Sequence, residues 1–326
     1  MSNLESLSVE STVEAPAMGR PSAAPSSGSR GKAATLARDL VALTKPRITL
    51  LVLITGAAGM WVAPHGPGAS GAGTGGVKPA TMFLSLVATA LIVGSANALN
   101  MWWERDLDGK MARTKSRPLP AGRMNADLAL AFGLALGVVS TPMLFAVNVA
   151  TGVLGLVALV SYVAIYTPLK KKTWLALLVG AIPGAMPPLM GWTTVTGRLD
   201  VGGLLLFGVL FLWQVPHFSA ISLFRRDDYA NAGLKVVSVD RGEAGAKRVI
   251  VQYTALLVAN SLLLFPFGVG GVKYFGVAAV LGAVFMVLGV RGAKNGGDRW
   301  AKRVFAYSIV YLLALLTALL LDRAAA

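Results

Sequence analysis

The sequence predicts an all-α, polytopic membrane bundle of about nine transmembrane helices. Three observations predict it. Hydrophobic residues make up 55% of the chain and charged residues only 14%, where soluble domains carry roughly 25% charged residues. The apolar residues fall in runs long enough to span a bilayer, separated by short basic loops. The bases are also asymmetric. All of the 30 Lys and Arg except Lys78, Arg198, Lys273 and Arg323 lie in, or at the edges of, alternate loops. One missed helix would scramble that asymmetry, so it supports the span count.

Residues 1–35 are rich in Ser, Ala, Pro and Gly and hold no aromatic residue. They read as a disordered tail. The tail has no apolar core of the kind a secretory signal needs, and Glu5, Glu10 and Glu14 argue against a transit peptide. The membrane domain is then 36–326. Its spans are expected near 46–64, 81–102, 126–144, 149–167, 174–196, 201–223, 248–267, 273–290 and 304–321. Pro183, Pro187 and Pro188 interrupt the fifth, which predicts a kink. Gly180, Gly184 and Gly191 in the same span mark close helix packing. The positive-inside rule places the tail and the loops 103–125, 168–173, 224–247 and 291–303 in the cytoplasm. The two long charged loops follow the second and sixth spans. This suggests two four-helix halves with one extra helix at the end.

Composition also excludes chemistry. The chain has no cysteine, so disulfides, thiolate metal sites and cysteine nucleophiles are out. The net charge of +15 does not point to nucleic acid, because the bases are spread over loops between apolar spans. Attraction to an anionic inner leaflet accounts for them.

The densest polar stretch follows the second span. Asn100, Glu104 and Asp108 are spaced i, i+4, i+8, so a continuing helix sets them on one face as a column of oxygen ligands. Asp106 points away from that face. Arg113, Lys115 and Arg117 follow at once. Oxygen ligands beside a basic cluster suit a divalent metal bound to a diphosphate. Acids at the edge of the hydrocarbon core are costly and usually functional.

Two further stretches lie on the same predicted side. Tyr162, Tyr166 and Thr167 lead into Lys170, Lys171 and Lys172, which are either phosphate ligands or topology determinants. The sixth span contains Trp213-Gln214-Val215-Pro216-His217-Phe218, followed by Asp227-Asp228. Gln214 and His217 within an apolar helix need a cavity or a partner. His217 suits a haem contact, proton transfer or a bond to a neighbouring helix. His65 lies in a glycine-rich outer loop and carries no role.

The run from Asn100 through Asp108, with Arg113-Thr114 and Arg117-Pro118-Leu119-Pro120, resembles the first acidic motif of the UbiA superfamily of intramembrane prenyltransferases. Within it, three stretches resemble the protoheme IX farnesyltransferase (haem O synthase) family: Tyr166-Thr167-Pro168-Leu169-Lys170, Gly184 to Trp192, and Trp213 to Phe218 leading to Asp228-Tyr229. The resemblance runs from about residue 40 to the C-terminus. Trp-Gln-x-Pro-His-Phe is its most specific part. The chain departs from the family in having Glu104 where Asp is commoner, and Leu234-Lys235-Val236-Val237 where a proline-bearing segment is expected.

The resemblance implies a UbiA-like fold in a bacterial plasma membrane. It implies transfer of a farnesyl group from farnesyl diphosphate to the 2-vinyl group of haem b, giving the haem O used by haem-copper oxidases. Asn100, Glu104, Asp108 and Asp228 would hold Mg²⁺ and act in catalysis. Arg113, Lys115, Arg117 and Lys170 would bind the diphosphate, with Tyr166, Gln214 and His217 contacting substrate. Trp102, Trp103 and Tyr166 are candidates to shield a cation. Haem A synthase or oxidase assembly factors are the implied protein partners. The alternatives are a prenyltransferase acting on an aromatic quinone precursor, and a transporter with a polar site.

Overall fold

A bilayer offers no partner for backbone polar groups, so each spanning segment must satisfy its own, and a helix does. A computed structural model describes residues 29–64, 76–111 and 114–324. Among these there is no strand. Most of the predicted tail, together with His65 and Arg113, lies outside the described residues.

The helices in chain order are α1 (Ser29–Leu43), α2 (Pro46–Val62), α3 (Pro79–Asp108), α4 (Ala126–Val147) and α5 (Val149–Val160). A π-helical turn, Ser161–Tyr166, carries α5 into α6 (Thr167–Leu169). Then come α7 (Ala176–Thr196), α8 (Val201–Phe224), α9 (Arg226–Asn231), α10 (Val237–Asp240), α11 (Gly242–Leu263), α12 (Val272–Asn295) and α13 (Asp298–Ala324). Among the described residues a helix lies on every one of the predicted spans. Seven are long and apolar enough to cross a membrane alone, counting α5 to α6 as one. The pair α1 and α2, bent by 48°, passes that test together as an eighth. The helix α11 falls short in apolarity, with Lys247, Arg248, Gln252 and Asn260 along it.

Hydropathy misplaced several helix ends. The helix α3 runs on through Trp103 to Asp108, α11 starts at Gly242 and α13 at Asp298. Charged residues end an apolar run without ending a helix, since Glu, Lys and Arg are good helix formers. The first helix starts at Ser29, within the stretch whose composition suggested a tail.

The expected arrangement of two four-helix halves plus a terminal extra helix needs correction. The helices α8, α11, α12 and α13 pack in a closed ring, each on the next. The unmatched helix is α7, which packs on α2, α5 and α8 and so joins the two sides. It runs through Pro183, Pro187 and Pro188 as one helix. Small residues let it approach α2 closely. A methyl group at Gly59 would fall on the Pro188 backbone, and one at Gly191 on the Gly56 carbonyl. Buried hydroxyls are satisfied between helices, as in Ser85 with Thr194 at 2.7 Å and Thr151 with Thr193 at 2.8 Å.

The loops after α3 and α8 meet at one end of the bundle. Leu107, Met111, Ala232 and Leu234 form a small core there, with Tyr229 and Val236 against it. The Lys235 backbone N–H donates to the Lys170 carbonyl at 3.1 Å, which ties in the loop after α6 as well.

Candidate active site

Because α3 stays helical to Asp108, Asn100, Glu104 and Asp108 share one face, and all three are buried. Asn100 Nδ2 donates to Glu104 Oε2 at 3.0 Å and to Thr167 Oγ1 at 3.1 Å. Asn100 Oδ1 accepts from Lys45 Nζ at 3.5 Å. Glu104 Oε1 pairs with Lys170 Nζ. Asp108 Oδ2 accepts from Arg117 at 2.6 Å. A buried carboxylate is tolerated only when it is paired and hydrogen-bonded. Here each has a base of its own.

Lys45 is a site residue the sequence reading missed. It stands in the break between α1 and α2, half-buried, with Arg117, Lys170, Glu104 and Asp108 all near enough to act on its charge. Its φ of 50° is left-handed, unusual for a residue with a side chain and disfavoured before Pro46. Such a conformation costs of order 1–3 kcal/mol and tends to occur at functional sites. The available signal was a lone lysine before a proline at the head of an apolar span.

The π-helical turn delivers the third side of the site. Such turns are frequent at functional positions. Thr167 Oγ1 donates to the Tyr162 carbonyl at 2.8 Å and accepts from Asn100. Tyr162 and Tyr166 stack at 5.3 Å, and Lys170 Nζ lies 5.4 Å from the Tyr166 ring centre. Gly180 of α7 makes room for that ring, since any side chain there would strike it.

The basic loop folds back over the end of α3. Thr114 Oγ1 donates to the Asp108 carbonyl at 2.8 Å. Lys115, Lys171, Lys172 and Asp106 are exposed. Trp103 is exposed as well, which fits an interface anchor and corrects its reading as a cation shield. Asp228 is the other correction. It is not gathered with the α3 acids: its side chain is 61% exposed and pairs with Arg225 at 3.4 Å. On the short helix α9, Tyr229 turns toward the Leu107 core while Asp228 takes the solvent face. Among the described residues, no three acidic or histidine side chains gather as a ready-made metal cluster.

Gln214 and His217 form a second constellation on α8. Gln214 Nε2 donates to the Ala181 carbonyl at 3.0 Å and the Leu210 carbonyl at 3.1 Å, and Gly184 leaves space for it. Gly180 lies under Tyr166 and Gly184 beside Gln214, so one turn of α7 links the two constellations. His217 lies against α13, with Nδ1 2.8 Å from Ser308 Oγ.

Residues 52–321 match the UbiA prenyltransferase family. The chain is 52% identical over 278 residues to the protoheme IX farnesyltransferase of Sorangium cellulosum, covering 83% of this chain and 99% of that protein. It is 49% identical to the protoheme IX farnesyltransferase of Myxococcus xanthus, covering 89% and 96%. Among solved structures, a digeranylgeranylglyceryl phosphate synthase superposes with a TM-score of 0.76 at 14% identity, covering 89% and 99%. A UbiA homologue from Archaeoglobus fulgidus bound to GPP and Mg2+ superposes with a TM-score of 0.62 at 14% identity, covering 86% and 99%. At that identity the structural likeness speaks for the fold.

Proposed function

Since the chain belongs to the UbiA prenyltransferase family, we propose that it farnesylates haem b, taking the farnesyl group from farnesyl diphosphate and releasing diphosphate. One observation carries the reading. Two buried carboxylates on α3 are each matched by a base, in a chain half identical to protoheme IX farnesyltransferases. The reaction joins farnesyl C1 to the terminal carbon of the 2-vinyl group as the C1–O bond to diphosphate breaks. Water oxygen then adds to the vinyl carbon next to the porphyrin and loses a proton, giving a hydroxyethylfarnesyl side chain.

Diphosphate leaves poorly until its charge is neutralised. The α3 donors fit Mg²⁺, which binds oxygen and commonly uses one or two carboxylates together with substrate phosphates. Asn100, Glu104 and Asp108 would hold it. Bound magnesium supplies positive charge to the diphosphate oxygens. Lys45, Arg117 and Lys170, which now balance the acids, take the rest of that charge, with Lys115 and Arg113 on the adjoining loop. The face of Tyr166, beside Lys170, would shield the allylic cation. The apolar bundle excludes stray water and solvates the farnesyl chain. Gln214 and His217 receive the haem. The base asymmetry supports a cytoplasmic side for the acidic loops and the N-terminus, in a plasma membrane by the family reading.

The test uses purified protein in nanodiscs with haem b, farnesyl diphosphate and Mg²⁺, analysed by chromatography and mass spectrometry beside an EDTA control. The expected result is a metal-dependent product heavier than haem b by farnesyl plus a hydroxyl. Prenylation of an aromatic acid without any haem product would overturn the haem assignment.

A further inference from the structure

The seam between α8 and α13 points to the nitrogen of His217 that carries the proton. Ser308 Oγ lies 2.7 Å from the Phe305 carbonyl and 2.8 Å from His217 Nδ1. A serine hydroxyl has one proton to give, and a carbonyl has none. With the serine proton given to Phe305, the hydroxyl accepts from His217, and Nδ1 is the protonated nitrogen. In a neutral imidazole the other nitrogen keeps its lone pair, so Nε2 is the free ligand atom.

The ring is also held against rotation. Trp213 stacks on it at 4.5 Å, Phe305 leans on it at 4.8 Å and Phe218 meets it edge-on at 5.2 Å. Trp213 Nε1 donates to the Ser308 carbonyl at 2.6 Å, so one residue of α13 fixes both the imidazole and the indole beside it. Among the described residues none bonds Nε2. A histidine that ligates a metal nearly always gives its other N–H to a fixed acceptor, which sets its tautomer and raises its basicity. The His217–Ser308 pair has that form, and it stands in a chain without cysteine to offer a thiolate instead.

We propose that Ser308 is a positioning residue that locks His217 in its Nδ1–H tautomer, so that Nε2 becomes an axial ligand to the iron of the haem substrate. This rests on haem b being the acceptor.

The test titrates haem b into the protein in nanodiscs and reads absorption, electron paramagnetic resonance and the ferrous iron–histidine stretch by resonance Raman. The wild type should give a histidine-ligated spectrum that His217→Ala loses. Ser308→Ala should weaken haem binding about tenfold, within the range for loss of such an outer partner, and lower the iron–histidine frequency. Ser308→Thr should restore both. Farnesyl diphosphate binding by Ser308→Ala should match wild type, which shows that the bundle is intact. An iron–histidine signal that survives His217→Ala overturns the ligand assignment. An unchanged frequency in Ser308→Ala overturns the role of Ser308. If the wild type makes haem O without any histidine signal, this inference fails and the farnesyltransferase reading stands. If the wild type neither binds haem nor makes haem O, both fail.

Discussion

Arg123, on the loop after α3, grips Asp39 of α1 through two nitrogens, each within 3.2 Å of a carboxylate oxygen. Its remaining nitrogen donates to the Ser116 carbonyl at 3.1 Å. Ser116 immediately precedes Arg117, the partner of Asp108. The helix α1 therefore holds the loop that carries Arg117. Asp39→Asn and Arg123→Met should each raise KM for farnesyl diphosphate several-fold with little change in kcat. The reversed pair, Asp39→Arg with Arg123→Asp, should recover part of the loss. Steady-state kinetics with varied farnesyl diphosphate checks this.

Lys45 separates stability from function. Glycine adopts its left-handed φ without penalty, where other residues pay about 1–2 kcal/mol. Lys45→Gly should therefore keep or raise thermal stability while KM for farnesyl diphosphate rises. A thermal melt and a kinetic assay on the same preparation decide it. A loss of stability would mean that the bond to Asn100 outweighs the backbone strain.

The Glu104–Lys170 pair predicts an unequal response to its two halves. Lys170→Met leaves Glu104 buried with its charge unbalanced, a change that typically costs about 3–5 kcal/mol. Glu104→Gln removes the charge and leaves Lys170 less buried, so it should melt closer to wild type and still lose transfer. Melting of both variants in one detergent gives the order.

Asp108→Ala should lower kcat by about 100-fold or more, the scale on which a preorganised charge acts in a site closed to water. EDTA should abolish transfer by the wild type. Haem binding at the α8–α13 seam should survive both treatments, because among the described residues no hydrogen bond or ion pair joins His217 to the acids. Activity and the haem spectrum, measured in parallel, test the independence of the two constellations.

Gly191→Ala should separate α2 from α7. The added methyl would fall on the Gly56 carbonyl, which is backbone and cannot swing aside. Overpacking of this kind costs about 1–3 kcal/mol, read as a lower melting temperature.

The sequence was most legible where one helix carries the whole pattern. Asn100, Glu104 and Asp108 could be set on one face by counting. Lys45 could not, because its bond to Asn100 joins two helices whose packing no local pattern encodes. Ser308 was invisible for the same reason, as a small hydroxyl in an apolar helix facing α8. Asp228 erred in the other direction. Its residue type suited a ligand, but the orientation of the short helix α9 decides where it points, and that depends on Tyr229 and Leu234 meeting the α3 loop. Span number followed from hydropathy and charge, while the joining role of α7 depended on glycines that meet only in the assembled bundle.

The π-helical turn at Ser161–Tyr166 has a consequence for how this chain tolerates length change. A π turn takes up a surplus residue within its own widened turn, so removing one would close it to an ordinary α turn and leave the helix beyond close to its present register. Thr167 and Lys170 would still face Asn100 and Glu104. In the regular helix α3, by contrast, losing one residue ahead of Asn100 would rotate everything beyond it by about 100° and carry Asn100 off Thr167. A one-residue deletion should therefore be borne better at this turn than in α3.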